Sequence, residues 1–377
     1  MLILICGEES ARVDELRQAL ADFGLDWRVE GAASAVGLAS PAGNAQVEAL
    51  VSTMPRDDAE RTALAALRDA HPGAVRIMLL ESGQGSDALQ LLDRAHRVLR
   101  RPMDPLEVVD ALESVMELRE LLDNPELKQA IGRVESLPAP PRLYLELVRM
   151  MQDPEVSMGA VAELLGRDPA IAARVLRLCN SAYFSAGREV TDIRAAATRL
   201  GLQTLRQVVL ASEALTHDEI DDEEREAMQA RALRVSQLAA RFLGGASAEL
   251  AATAGLLAEV GRLLPAANQD PDEAVADPDA EPDPALDQQH AAAGAYLLGL
   301  WGLPDPIVEA VAFQYGPRRT RTGGFWVAGA VHVASALVNG RAVDTEYLRA
   351  VGQLDKLPRW QELAEQAAGA GRGGLSG

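Results

Sequence analysis

The sequence predicts an α/β N-terminal domain built on a five-stranded parallel sheet, followed by a larger all-α domain. Three observations predict it. Over roughly the first 120 residues, apolar runs of strand length alternate with segments of helical spacing. From about Arg133 onward no strand pattern is convincing, and Asp-Pro and glycine punctuation marks one short helix after another. The chain has 377 residues, 48% of them hydrophobic, which is enough for two or three cored domains.

Leu2–Cys6, the segment around Ala49–Ser52, and Val75–Leu80 read as strands, with weaker ones at Trp27–Glu30 and Arg97–Leu99. Val13, Leu16 and Leu20, then Leu64 and Leu67, place helices between them. Asp57 and Asp58 read as the N-cap and first turn of the second of these helices. Arg101-Pro102 ends the last strand, and Asp104-Pro105 opens a helix over Leu106–Leu122. Its stripe of Val108, Leu112, Val115 and Leu122, interrupted by Arg119, is expected to pack on the sheet, with a homodimer as the alternative. Asn124-Pro125 ends that helix.

In the second half, Asp168-Pro169 caps a helix whose Ile171, Val175 and Leu178 share one face, and Asn180-Ser181 ends it. Asp192 caps the next helix, which Gly201 stops. The expected division is an N-terminal domain over 1–123, a linker over 124–136, an all-α domain over 137–345 with an acidic loop at 265–289, and a C-terminal helix with a disordered tail over 346–377.

Thirty-six Lys and Arg against 56 Asp and Glu leave a net charge of −20, which excludes an open basic surface for bulk nucleic acid. Residues up to Asp123 hold 22 acids and 12 bases, and Pro265–Gln289 holds eight acids, five prolines and no base. Only Arg167–Arg206, with seven arginines against Asp168, Glu189 and Asp192, is locally basic. A helix-turn-helix reading of this stretch is disfavoured, because core helices follow it and the chain is acidic. Two cysteines, Cys6 and Cys179, exclude a disulfide-built secreted protein. The apolar run Met1–Cys6 is too short for a signal peptide, and Ala291–Leu303 falls short of the roughly 18 residues a membrane helix needs. A soluble, cytoplasmic protein without membrane insertion is expected.

Five βα units with Met54-Pro55 after the third strand and Arg101-Pro102 after the fifth resemble the receiver domain of two-component response regulators. That family's chemistry implies an acidic pair after the first strand for magnesium, a phospho-acceptor aspartate on the third, and a lysine after the fifth. Gly7 and Glu8 stand at the pair, Val51 or Ser52 at the acceptor, and Arg101 at the lysine. The hydroxyl residue after the fourth strand falls at Glu81 or Ser82. The resemblance therefore implies a pseudo-receiver that has lost phosphotransfer.

The segments Leu137-Pro-Ala-Pro-Pro-Arg-Leu-Tyr, Ala162-Glu-Leu-Leu-Gly-Arg-Asp-Pro, Ala254-Gly-Leu-Leu-Ala-Glu-Val-Gly-Arg-Leu and His290-Ala-Ala-Ala-Gly-Ala-Tyr, in this order, are similar to the HDOD domain, the HD-related output domain of bacterial signalling proteins. Catalytic relatives, the HD-type phosphohydrolases, hold metal through histidines and aspartates. The corresponding places here are Val235, Ala258-Glu259, Gln314-Tyr315 and Ser335, and only His290 keeps a family histidine. His332, in an apolar helix, reads as a satisfied core histidine.

The resemblances imply a noncatalytic signal-transduction protein with no cofactor or metal, acting through contacts with other signalling proteins. The alternative is a metal-dependent phosphohydrolase of a nucleotide or cyclic dinucleotide. Arg174, Arg177, Asn180, Ser181, Tyr183 and Phe184 form the candidate interaction surface, two exposed-side arginines beside two aromatics for an acidic partner segment. Tyr183 and Phe184 could equally plug a gap between helices.

Overall fold

The computed structural model describes residues 1–38, 47–81, 95–121, 125–134, 150, 156–180, 189–213, 222–264, 284–321 and 323–373. Ser181, Tyr183 and Phe184 lie outside them, as does most of the acidic loop. Two compact units result: Met1–Glu135 with Arg177–Glu189 and Gly299–Gly302, and the remainder from Ser136 to Gly377.

In the first unit, β1 (Leu2–Cys6), β2 (Arg28–Ala32), β3 (Val47–Thr53), β4 (Val75–Leu80) and β5 (Arg97–Arg100) form one parallel sheet in the order β2-β1-β3-β4-β5. Ile5 pairs with Val51 and Val51 with Ile77, so the three central strands share a register. Leu2, Leu4 and Cys6 pack with Leu38, Leu50 and Leu67 on one face. Ile3 and Ile5, alternating with them, are buried on the other. Each such side chain contributes about 1.5–3 kcal/mol on leaving water. Burial also pushes the Cys6 thiol up to about 12.

Helix α1 (Ser10–Asp22) follows β1 and α2 (Asp58–Ala70) follows β3, the latter capped by Asp57, which accepts from the Glu60 amide at 2.8 Å. Helix α3 (Pro105–Glu120) is capped by Asp104. Its stripe of Val108, Leu112 and Val115 is buried within this unit and is not a free face for dimerisation. Arg119, which interrupts the stripe, forms an ion pair with Glu48.

Residues 124–136 differ from the expected linker. They carry α4 (Pro125–Gly132), which belongs to the first unit. Two donors converge on the Gly132 carbonyl, Arg76 Nη1 at 2.8 Å and His96 Nε2 at 2.8 Å. A Cβ on Gly132 would lie 2.7 Å from the Pro72 carbonyl oxygen, which explains the glycine.

Helices make up the described part of the second unit. They are α5 (Met158–Leu165), α6 (Pro169–Asn180), α7 (Ile193–Glu213), α8 (Asp222–Phe242), α9 (Ala246–Leu257), α10 (Pro284–Leu300), α11 (Asp305–Ala312), α12 (Val327–Val338), α13 (Thr345–Ala350) and α14 (Leu357–Gly373). The ends of α6 from Arg177 and of α10 from Gly299 count with the first unit. Asp168 and Asp192 cap α6 and α7 through the Ile171 and Ala195 amides. Gly201, at φ 75°, breaks α7 where the sequence places a stop. Gly255 lets α9 approach the backbone of α8, where a Cβ would lie 3.0 Å from Ser236 Cα. The C-terminal segment is structural: Trp360 of α14 packs against Phe242 and Phe325. Helix α14 runs to Gly373.

Candidate functional site

In the first unit, the place of receiver chemistry is the C-terminal edge of the sheet. Glu8 follows β1, and its side chain is 2% exposed. Arg101, just past β5, donates to Glu8 Oε2 through Nε (3.3 Å) and to Oε1 through Nη2 (3.0 Å), and its Nη1 reaches Glu81 at 2.8 Å. Hydrogen bonding to Glu8 raises the Arg101 pKa against the cost of burial. The structure thus brings Glu8 and Arg101 together, with Glu81 as a third member. Val51 and Ser52 lie buried inside β3, which continues to Thr53. Thr53, not named by the sequence count, stands against Gly7: a Cβ on Gly7 would collide with its hydroxyl. Counting back from Met54-Pro55 missed it because the strand runs one residue past Ser52 before the turn.

The second unit gathers the HD positions. Val235 is buried on α8, and Ala258-Glu259 follows α9. Gln314, after α11, donates through Nε2 to the Ala258 carbonyl at 2.5 Å. Ser335 on α12 donates to Gln314 Oε1 at 3.2 Å. Asn339 donates to Glu259 Oε1 at 3.1 Å and to the Ser335 hydroxyl at 3.4 Å, and Arg231 Nε donates to Glu259 Oε2 at 3.2 Å. Around Gln314, His332 Nδ1 donates to its carbonyl at 2.7 Å while His332 Nε2 accepts from the Asp344 amide at 3.0 Å, so the ring is the neutral Nδ1–H tautomer. Burial lowers its pKa, in keeping with a satisfied core histidine.

Beside this chain of bonds stands a second one. Asp287, buried on α10, accepts from Arg262 Nη2 at 2.5 Å and forms an ion pair with Arg341. Arg341 stacks over the Tyr315 ring at 5.0 Å. Burial opposes the charge on Arg262, yet Glu259, Tyr315 and Asp287 outweigh it and its pKa rises. Burial raises the Tyr315 phenol. This overturns the expectation that 265–289 is a solvated loop throughout: 284–289 is the first turn and a half of α10, and Asp287 is a buried ion-pair partner. Asp287, Arg231, Arg262, Asn339 and Arg341 had no sequence signal, since their pairings span 25 to 80 residues.

These residues do not fit a divalent ion. Val235 and Ala258 offer no ligand atom, Gln314 and Ser335 are bound to each other, and the remaining carboxylates face arginines. Among the described residues no three His, Cys, Asp or Glu converge.

The candidate interaction surface is corrected in part. Arg174 and Arg177 are 5% and 3% exposed, so neither is a solvent-facing anchor. Arg177 lies over the Trp301 ring at 4.6 Å and donates to the Ala95 carbonyl at 2.6 Å, both within the first unit. Asn180 is half-buried at the end of α6.

A two-unit protein with a parallel α/β sheet and a helical unit is thereby defined, and comparison with known proteins finds a domain match. Residues 137–317 match the HDOD domain, so the chain carries an HDOD domain. An uncharacterized protein of Treponema pallidum (strain Nichols) is 26% identical over 273 residues, 67% of this chain. The chain spans about half the length of that relative, 51%. Among solved structures, the MmoQ response regulator of Methylococcus capsulatus is 24% identical with a TM-score of 0.44, covering 60% of this chain and 98% of its own. A virulence factor of Campylobacter jejuni is 20% identical with a TM-score of 0.46, covering 64% and 93%. An HDOD domain protein of Geobacter sulfurreducens is 17% identical with a TM-score of 0.27, covering 69% and 99%. Among the described residues no helix is long and apolar enough to cross a membrane.

Proposed function

We propose that this chain is a noncatalytic, cytoplasmic signal-transduction protein in which a pseudo-receiver is joined to an HDOD output module that works through contacts with other signalling proteins. The observation that carries the reading is the hydrogen-bond chain Arg231–Glu259–Asn339–Ser335–Gln314, in which Glu259, Ser335 and Gln314 stand at positions where a hydrolytic relative would hold metal. Each member satisfies the next, so these five side chains are engaged with one another rather than turned to an ion or a water. The receiver half is supported by the strand order, which is that of the flavodoxin-like doubly wound folds. At the edge where such folds bind ligands, Arg101 neutralises Glu8 directly.

Metal analysis of the purified chain, paired with a hydrolysis assay on nucleoside phosphates and cyclic dinucleotides in added manganese, tests the reading. The expected result is substoichiometric metal and no turnover. One tightly bound transition metal per chain, or metal-dependent turnover, overturns it in favour of the phosphohydrolase.

A further inference from the structure

At the N-terminal edge of the sheet in the first unit, a cleft of about 840 Å³ opens between the start of β3, the turn before β4, the end of α3 and the helix α4. The ion pair of Glu48 with Arg119 stands in its wall. Arg119 Nη1 donates to Glu48 Oε2, and Arg119 Nη2 lies 3.2 Å from where a Cβ on Gly73 would stand, Gly73 being part of the same lining. The guanidinium head is therefore fixed between two walls of the cleft. Its pairing uses one atom on each side. Glu48 Oε1 and Arg119 Nη2 carry no hydrogen bond among the described residues, and neither is closed off from solvent, the two side chains being 20% and 13% exposed. An open acceptor thus sits beside an open donor. His71, also in the lining, has its Nε2 buried with no hydrogen-bond partner among the described residues, so this wall holds a polar atom whose bond the chain itself does not supply. The side-chain charges of the lining cancel, Glu48 and Glu120 against Arg119 and Lys128, so nothing there draws a strong anion.

We propose that this cleft binds a neutral nucleoside of the guanine type, read by the Glu48–Arg119 pair. Along one edge guanine carries two N–H donors beside a carbonyl oxygen. The carboxylate, with Oε1 open, accepts the N–H groups while the guanidinium donates to the carbonyl, so both ends of the edge meet charge-assisted bonds. Adenine sets one exocyclic donor beside a bare ring nitrogen and uses less of the pair. The volume falls in the range of about 300–1,000 Å³ typical of small-molecule sites, where a few polar groups fix the orientation of a ligand held by apolar walls. Here Trp27 and Met116 supply apolar lining, and an indole offers a flat base a stacking partner. The site belongs to the first unit alone and stands whether or not the second is catalytic.

Calorimetric and fluorescence titration of the full chain with guanosine, with adenosine and 1-methylguanosine in parallel, tests the site. One guanosine per chain should bind saturably, and the other two nucleosides about tenfold more weakly or worse, in line with the loss of one hydrogen bond to a charged group. This comparison is made on the parent chain and needs no variant to fold. Trp27→Phe should keep the binding and lose most of the fluorescence change, and Trp27→Ala should weaken binding about tenfold as the stacking surface goes. Glu48→Gln should narrow the preference for guanosine over 1-methylguanosine. Absence of saturable guanosine binding overturns the site, and equal binding of the three nucleosides overturns the reading of the guanine edge. A fluorescence change that survives intact in Trp27→Phe places the nucleoside elsewhere and overturns the proposal as well.

Discussion

Arg101 donates to Glu8 through two nitrogens, Nε at 3.3 Å and Nη2 at 3.0 Å, and holds a carboxylate whose side chain is almost fully buried. In a receiver the same edge of the sheet would need its acid free to share a metal. Here it is consumed by an internal ion pair, and the arginine's second arm is spent on Glu81. Removing one partner strands a buried charge, so Arg101→Ala should destabilise the chain by about 3 kcal/mol. The double variant Arg101→Leu with Glu8→Leu should recover most of that loss, because a buried pair replaced by apolar groups is often near neutral. Urea midpoints of the three proteins decide the matter, and equal midpoints for Arg101→Ala and the parent would mean that the pair is solvated.

The same pair bears on phosphorylation. Val51, Ser52 and Thr53 end β3 without a carboxylate, so no acyl phosphate can form there. Incubation with acetyl phosphate and magnesium should leave the mass of the N-terminal peptides unchanged. Asp57 and Asp58 are the nearest aspartates along the chain, and Asp57 is held as an N-cap by the Glu60 amide. A phosphoryl group found on either would place the acceptor beyond Met54-Pro55.

The buried His96 should make the first unit less stable in acid. His96 accepts from the Arg76 amide at Nδ1 (3.1 Å) and donates from Nε2 to Gly132, so only the neutral ring satisfies both bonds. Burial, then Arg76, lowers its pKa well below 6.5 in the folded chain. The unfolded chain binds the proton first, so stability from this group is fully present above about pH 6.5 and is lost as the pH falls below it, by up to about 1.4 kcal/mol per pH unit. His96→Gln should be less stable than the parent at pH 8, with the gap closing steadily between about pH 6.5 and 5. A gap independent of pH would show that His96 takes up its proton equally in the folded and unfolded chain.

The contrast between the two units marks what a sequence can carry. Strands β1 and β4 run over the spans the apolar pattern predicts, because a central parallel strand is buried on both faces and reads as an unbroken hydrophobic run. The Asp57, Asp104, Asp168 and Asp192 caps were legible because capping acts over two or three residues. The site network was not. Glu259 meets Asn339 across 80 residues and Gln314 meets Ala258 across 56, and nothing local distinguishes these side chains from surface polar ones. Arg174 and Arg177 failed for the opposite reason: arginine is most often exposed, and only the fold shows them buried.

Asp287 is the sharpest instance. It follows the run Glu281-Pro-Asp-Pro284 in sequence, yet it accepts from Arg262 and pairs with Arg341. Asp287→Ala removes the shared acceptor of two half-exposed arginines, which can partly regain water. The expected cost is about 1–3 kcal/mol, with the ring contact between Arg341 and Tyr315 loosened. Near-ultraviolet circular dichroism and a thermal scan would register both effects. An unchanged thermal midpoint would show that the Asp287 ion pairs add nothing to stability.

The glycine of the Glu259-Val-Gly-Arg262 segment is the most stringent position in the second unit. Its short helical turn, Val260–Leu263, seats directly on α10, where a Cβ at Gly261 would collide with the His290 carbonyl oxygen and lie 2.9 Å from the Gly294 amide nitrogen. Every obstacle is backbone, so no rotamer relieves it. Forcing α10 outward would also draw Asp287 away from Arg262, coupling the packing defect to the loss of an ion pair. Gly261→Ala should therefore cost about 3 kcal/mol or more, at the upper end of overpacking effects. Gly159→Ala supplies the comparison: it lies inside α5 with only Ser157 Oγ near, at 3.8 Å, and should be neutral or stabilise by about 0.5–1 kcal/mol. If Gly261→Ala melts with Gly159→Ala and the parent, the close seat of the turn on α10 is wrong.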